Sequence, residues 1–169
     1  MHPIAIDTGP LLTYLALRYL DRNEAPTAKR TQVLTEIRHG NALADTQRER
    51  FLKLMKRPVL TTPHVISEVL KLREASALSR EQEGFRRDSL DFLTSGSISE
   101  IPCPITEICR EEDYRRLICL YGLADAGLLF VASRRRALVL TDDSRLFSAY
   151  SSNPGYVIEL LDNYLQEPA

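Results

Sequence analysis

The chain has 169 residues, 44% of them hydrophobic, and its 22 Lys and Arg against 23 Asp and Glu leave a net charge of -1. That supplies apolar side chains for one well-formed core and leaves two independent domains cramped; the balanced charge argues against disorder and gives no basic footprint for a nucleic-acid partner. No stretch approaches the roughly 18 apolar residues of a membrane span and no basic-then-apolar leader follows Met1, so the expectation is a cytoplasmic protein with no membrane partner.

Pro3 to Ile6 is a short apolar run of the kind that makes a buried strand, and it stops at Asp7. Thr8, Gly9 and Pro10 then supply helix-start chemistry, because a proline at a first helical position loses no hydrogen bond. Leu11, Leu12, Leu15, Tyr19 and Leu20 continue at helical spacing, so Asp7 stands where a strand hands over to a helix.

Thr27 to Arg57 is charged and amphipathic, with Val33, Leu34 and Ile37 on one stripe and Phe51, Leu52, Leu54 and Met55 on another. Gly40 and Asn41 separate the two as cap and turn, which predicts a helical hairpin covering the core. Val59 to Thr61 is a second strand, followed by Thr62 as cap and Pro63 at the first helical position. Val65, Ile66, Val69 and Leu70 form the inward stripe of the next helix, and Glu68 falls beside it.

A charged helix is expected from Leu78 to Leu93, ended by Ser95 and Gly96, and the alternation of Ile98 to Ile101 predicts a strand. One helix is expected from about Ile105 to Tyr121, closing at Gly122. Asp125 opens the helix after it, near the positive end of the dipole, with Leu128, Leu129, Val131 and Ala132 packing below. Ala137 to Leu140 is a compact strand ending at Thr141, Asp142 and Asp143. Leu146 to Tyr150 reads as a short helix, Tyr156 to Ile158 as the last strand and Leu160 to Leu165 as a closing helix.

Strands separated by helices predict an α/β fold, a three-layer α/β/α sandwich around a mostly parallel sheet of about five strands. Ligands in such sheets bind beyond the carboxyl ends of the strands, where Asp7 and the Asp142/Asp143 pair fall. Cys103, Cys109 and Cys119 lack CxxC spacing and lie among Ile and Leu, so buried free thiols are expected. His2, His39 and His64 are scattered singly and give no support to a zinc site.

Taken singly, an Asp after a strand is a helix cap. Its recurrence changes the reading: Asp7 and Asp142/Asp143 share one edge of the sheet, Asp125 starts a helix entering from that edge, and Glu68 is placed to join them. Carboxylates brought within about 6 Å repel and raise one another's pKa, so such a group implies a cation. Oxygen donors without His or Cys suit Mg²⁺ or Mn²⁺, and the reaction expected of such a centre is phosphodiester hydrolysis.

IAIDTGPLL, HVISEVLKL, GLADAGLLFVAS and ALVLTDDSRLF, in that order over nearly the whole chain, resemble the PIN-domain family. The resemblance implies a single PIN-like domain over residues 1–169, a five-stranded parallel sheet with an acidic site at one edge, and Mg²⁺- or Mn²⁺-dependent endoribonuclease activity on RNA, as in toxins restrained by an antitoxin. It implies that Asp7, Glu68 and Asp125 are metal ligands, with Asp143 as the fourth and Asp142 as its adjacent rival. Thr8 and Thr141 would orient carboxylates or waters. The helical segment at about 27–57 departs from the compact toxin pattern as an insertion suited to a homodimer surface, a lid or an antitoxin groove.

Lys71, Arg73, Arg145 and the Arg134–Arg136 run are candidate phosphate contacts, with solvated helix ends as the bland reading; Lys71 and Arg145 are favoured. An aspartic protease would need an all-β fold and a second Asp-Thr-Gly or a symmetric dimer, and a phosphate-receiving regulatory domain would need a strand-end Lys. The remaining alternative is a catalytically silent PIN-like module that binds a protein.

Overall fold

The computed structural model describes residues 2–39, 43–71 and 78–166. In chain order these form β1 (Ile4–Ile6), α1 (Thr8–Arg22), α2 (Thr27–Ile37), α3 (Asp45–Leu54), β2 (Val59–Thr61), α4 (Pro63–Lys71), α5 (Gln82–Thr94), β3 (Ser99–Glu100), α6 (Ile105–Ile108), α7 (Glu112–Tyr121), α8 (Leu123–Arg135), β4 (Leu138–Thr141), α9 (Ser144–Tyr150), β5 (Val157–Leu160) and α10 (Leu161–Leu165). The strands form one sheet in the order β3-β2-β1-β4-β5, with every pairing parallel. This is the α/β architecture that the alternation of strands and helices predicts.

β1 is central, and its three residues are wholly buried. From it the chain builds outward through β2 and β3, then returns to add β4 and β5 on the other side. With right-handed crossovers, that reversal sends the connecting helices to opposite faces and opens a crevice at the carboxyl ends of β1 and β4. α8 packs on both of these strands, and α4 packs on both α1 and α8. The acidic positions of α4 and α8 are thereby carried to the same end of the sheet as Asp7.

α8 is apolar on nearly every side, and Ala126 through Ala132 are buried without a break. Its start is fixed by Gly122, whose φ of 104 lies in the region that favours glycine. The two helices of the 27–57 segment are present: α2 lies on α1 through Val33, Leu34 and Ile37, and α3 meets α10. The Gly40-Asn41 turn expected between them lies outside the described residues.

Four local expectations are corrected. The helix expected over 105–121 is two, because Arg115 Nε donates to the Cys109 carbonyl at 2.5 Å and closes α6 there, while Glu111 starts α7. The helix expected from Leu78 begins at Gln82, with Leu78 buried in the turn before it. The strand at Ile98–Ile101 shrinks to the two-residue edge β3. Cys103 is a buried thiol as expected, but Cys109 is half-buried and Cys119 lies exposed beside the exposed Leu120, because α7 buries Tyr114 and Leu117 instead.

Among the described residues no helix is long and apolar enough to cross a membrane.

Candidate functional site

Asp7 leaves the carboxyl end of β1 and caps α1: its Oδ1 accepts the Thr8 N–H at 2.7 Å. Its Oδ2 accepts the Thr141 hydroxyl at 2.5 Å, from the end of the neighbouring strand β4. Thr141 Oγ1 in turn accepts the Asp143 N–H at 2.9 Å. The side chain is 7% exposed. Burial pushes the Asp7 carboxyl above its ordinary range; the two hydrogen bonds oppose this, and the charges of Glu68 and Asp143 add to it.

On the other side of Asp7, the Thr8 hydroxyl donates to Glu68 Oε2 at 2.8 Å, tying the first turn of α1 to the exposed carboxylate of α4. One hydrogen-bonded chain thus runs from Glu68 through Thr8 to Asp7, then through Thr141 to Asp143.

Asp125 enters from the first turn of α8. Its carboxyl is pushed up to about 7, first by burial and then by the charges of Asp7, Asp143 and Glu68, with Arg145 opposing. Carboxylates from β1, α4, α8 and the β4–α9 junction therefore feel one another across the crevice.

Asp143 caps α9, accepting the N–H groups of Arg145 at 2.7 Å and Leu146 at 3.3 Å, and it pairs with the Arg145 guanidinium at 3.1 Å. Partial burial raises its carboxyl, but the Arg145 and Leu146 hydrogen bonds and the Arg145 charge outweigh burial and hold it below the ordinary range. Asp142, one residue earlier, faces elsewhere. It lines a cleft of about 320 Å³ with Arg38, His39, Ser144 and Asp162, and Arg38 pairs with Asp162 there. Burial pushes Asp142 up to about 6, opposed by Arg38 and His39 and assisted by Asp162 and Asp7.

Nothing in the residue pattern marks that second cleft. Arg38 sits in a charged helix end indistinguishable from a solvated one, yet its side chain is 2% exposed. Lys71 is exposed at the end of α4, and Arg73 lies outside the described residues. Arg134 lies over the Phe130 ring and pairs with Glu111, away from the acidic crevice.

Carboxylate and hydroxyl oxygens are the donor chemistry that suits Mg²⁺ or Mn²⁺, and the mutual repulsion that raises Asp125 is what a divalent ion would relieve. The residues fit such an ion in donor type. They do not form a closed cage: among the described residues no three Asp, Glu, His or Cys side chains are gathered tightly enough to hold a metal. Glu68 is turned to Thr8 and Asp143 to Arg145.

No protein-family model matches the sequence, and no curated protein matches it.

Proposed function

We propose that the chain is a Mg²⁺- or Mn²⁺-dependent nuclease of PIN-like type, an endoribonuclease that hydrolyses RNA phosphodiesters as antitoxin-restrained PIN toxins do. The observation that carries the reading is the convergence of Asp7, Glu68, Asp125 and Asp143 at the carboxyl ends of β1 and β4, with Asp125 raised to about 7 by burial and three neighbouring carboxylates. Capping accounts for Asp7 and Asp143 one at a time, but not for the charges of Asp7, Asp143 and Glu68 that together raise Asp125.

In this reading the four carboxylates would hold the metal, which would supply a water nucleophile and charge neutralisation at the phosphate. Thr141 fixes one oxygen of Asp7, Thr8 fixes one of Glu68, and Asp125 brings a partly buried carboxylate from the first turn of α8. Arg145 must exchange Asp143 for a phosphate oxygen, and Lys71 offers a second cation from α4. In hydrolysis a water oxygen bonds to phosphorus, the ester P–O bond breaks, and the leaving oxygen takes up a proton.

The Asp143–Arg145 pair favours a second reading, a silent PIN-like module that acts through a protein partner, because the guanidinium already neutralises one of the four carboxylates. One experiment separates the two. Mn²⁺ is titrated into chelator-stripped protein while the melting temperature and the cleavage of an RNA are followed. Metal-dependent stabilisation with cleavage is the expected result. Stabilisation without cleavage selects the silent module, and no stabilisation removes the metal centre.

A further inference from the structure

A cleft of about 340 Å³ opens at the opposite end of the sheet, where β1, β4 and β5 begin. Leu138, Tyr156, Arg57, Arg136 and His2 are among the residues that line it. Among the described residues that line it there is no Asp or Glu. In a chain with a net charge of -1, a concave lining that bears two guanidinium groups and, among the described residues, no carboxylate is locally basic.

Arg57 is held in place: its Nε donates to the His2 carbonyl at 3.1 Å and its Nη2 donates to the same oxygen. That anchoring leaves Nη1 to meet a ligand without a loss of side-chain freedom. Arg136 follows the last turn of α8 with φ 50 and ψ 45, a left-handed position where glycine is the favoured residue. A cation at a helix carboxyl end is favourable for the dipole alone. Of the three non-glycine residues at positive φ among the described residues, Glu24, His39 and Arg136, only Arg136 borders this cleft.

We propose that this cleft binds a phosphorylated small molecule, its phosphate met by Arg136 and Arg57 and its organic part lodged against Tyr156 and Leu138. The Arg136 guanidinium fork can match phosphate oxygens two at a time, Arg57 Nη1 adds a further donor, and the volume falls in the range of small-molecule sites. This site is separate from the acidic crevice and does not depend on the nuclease reading.

The test is calorimetric titration of the full chain with inorganic phosphate, ribose 5-phosphate and AMP, with parallel melts. The expected result is saturable binding of at least one phosphate ester, displaced by inorganic phosphate and weakened about tenfold or more in Arg136→Glu. Arg136→Gly weakens binding equally while keeping or raising the melting temperature, because it relieves the left-handed backbone; that separates binding from folding. Asp125→Asn retains the binding. The proposal is overturned if none of the three probes saturates at millimolar concentration, if Arg136→Glu binds like the wild type, or if Asp125→Asn abolishes binding.

Discussion

The Thr141 hydroxyl and the Asp7 carboxylate, 134 positions apart in the chain, meet at 2.5 Å where β4 and β1 end side by side. Thr141 is wholly buried and also receives the Asp143 N–H, so one hydroxyl orients the deepest carboxylate and the loop that carries the next.

Thr141→Val keeps the shape but leaves a buried Asp7 oxygen without its donor and the Asp143 N–H without its acceptor. The expected loss of stability is about 1–3 kcal/mol in metal-free buffer, measured by urea unfolding. Thr141→Ser keeps both bonds and should lose much less; if Val and Ser unfold alike, the hydroxyl has no such role.

Asp125→Asn removes a carboxylate that burial and three like charges disfavour. Metal-free stability at neutral pH should rise, on the order of 1 kcal/mol after solvent screening, while Mn²⁺-dependent stabilisation and RNA cleavage disappear. A destabilised mutant in metal-free buffer would show that Asp125 is held by attraction, contrary to the electrostatics described.

The same carboxyls set a pH dependence. Asp125 is raised from 3.8 to about 7 and Asp142 from 3.8 to about 6, so in that interval the folded chain binds more protons than the unfolded one. Metal-free stability should therefore fall as pH rises from about 4 to about 7 and level off above. Asp142→Asn should reduce the slope over its lower part, and Asp125→Asn should reduce it across the interval without removing the contribution of Asp142. Asp143, lowered instead, contributes stability that is lost only in more acidic solution. Urea midpoints across the interval in the presence of a chelator give the sign directly.

At Gly9 α1 leaves no room beside Asp142: a Cβ there would stand 2.8 Å from Asp142 Oδ2 and 3.3 Å from its Cβ. Gly9→Ala should cost about 1–3 kcal/mol by pushing Asp142 toward the Arg38 cleft, despite the gain in helix propensity. Asp142→Ala should rescue most of that cost; additive losses in the double mutant would place the strain elsewhere.

The strand and helix order was legible because each buried strand is a short apolar run stopped by a polar residue, as at Asp7 and Thr141. The break at Cys109 was not, because it depends on one arginine reaching back to a carbonyl, and no periodicity records that. At the crevice, the positions of Asp7, Glu68, Asp125 and Asp143 followed from where strands and helices end. The parting of Asp142 from Asp143 did not: adjacent residues in a tight junction point to different sides, and Asp142 lines a cleft with Arg38, more than 100 positions away in the sequence. Likewise the Asp143–Arg145 contact is a choice of rotamer and cap, invisible in composition.

Because the middle strand is laid down first and flanked on one side by residues near 60 and on the other by residues near 140, a polypeptide still being synthesised has no crevice. Until β4 has emerged and paired with β1, Asp7 lacks both its hydroxyl partner and the Asp143 neighbour. Whatever chemistry those carboxylates perform is withheld from the nascent chain and begins only when the late strand docks against the early one.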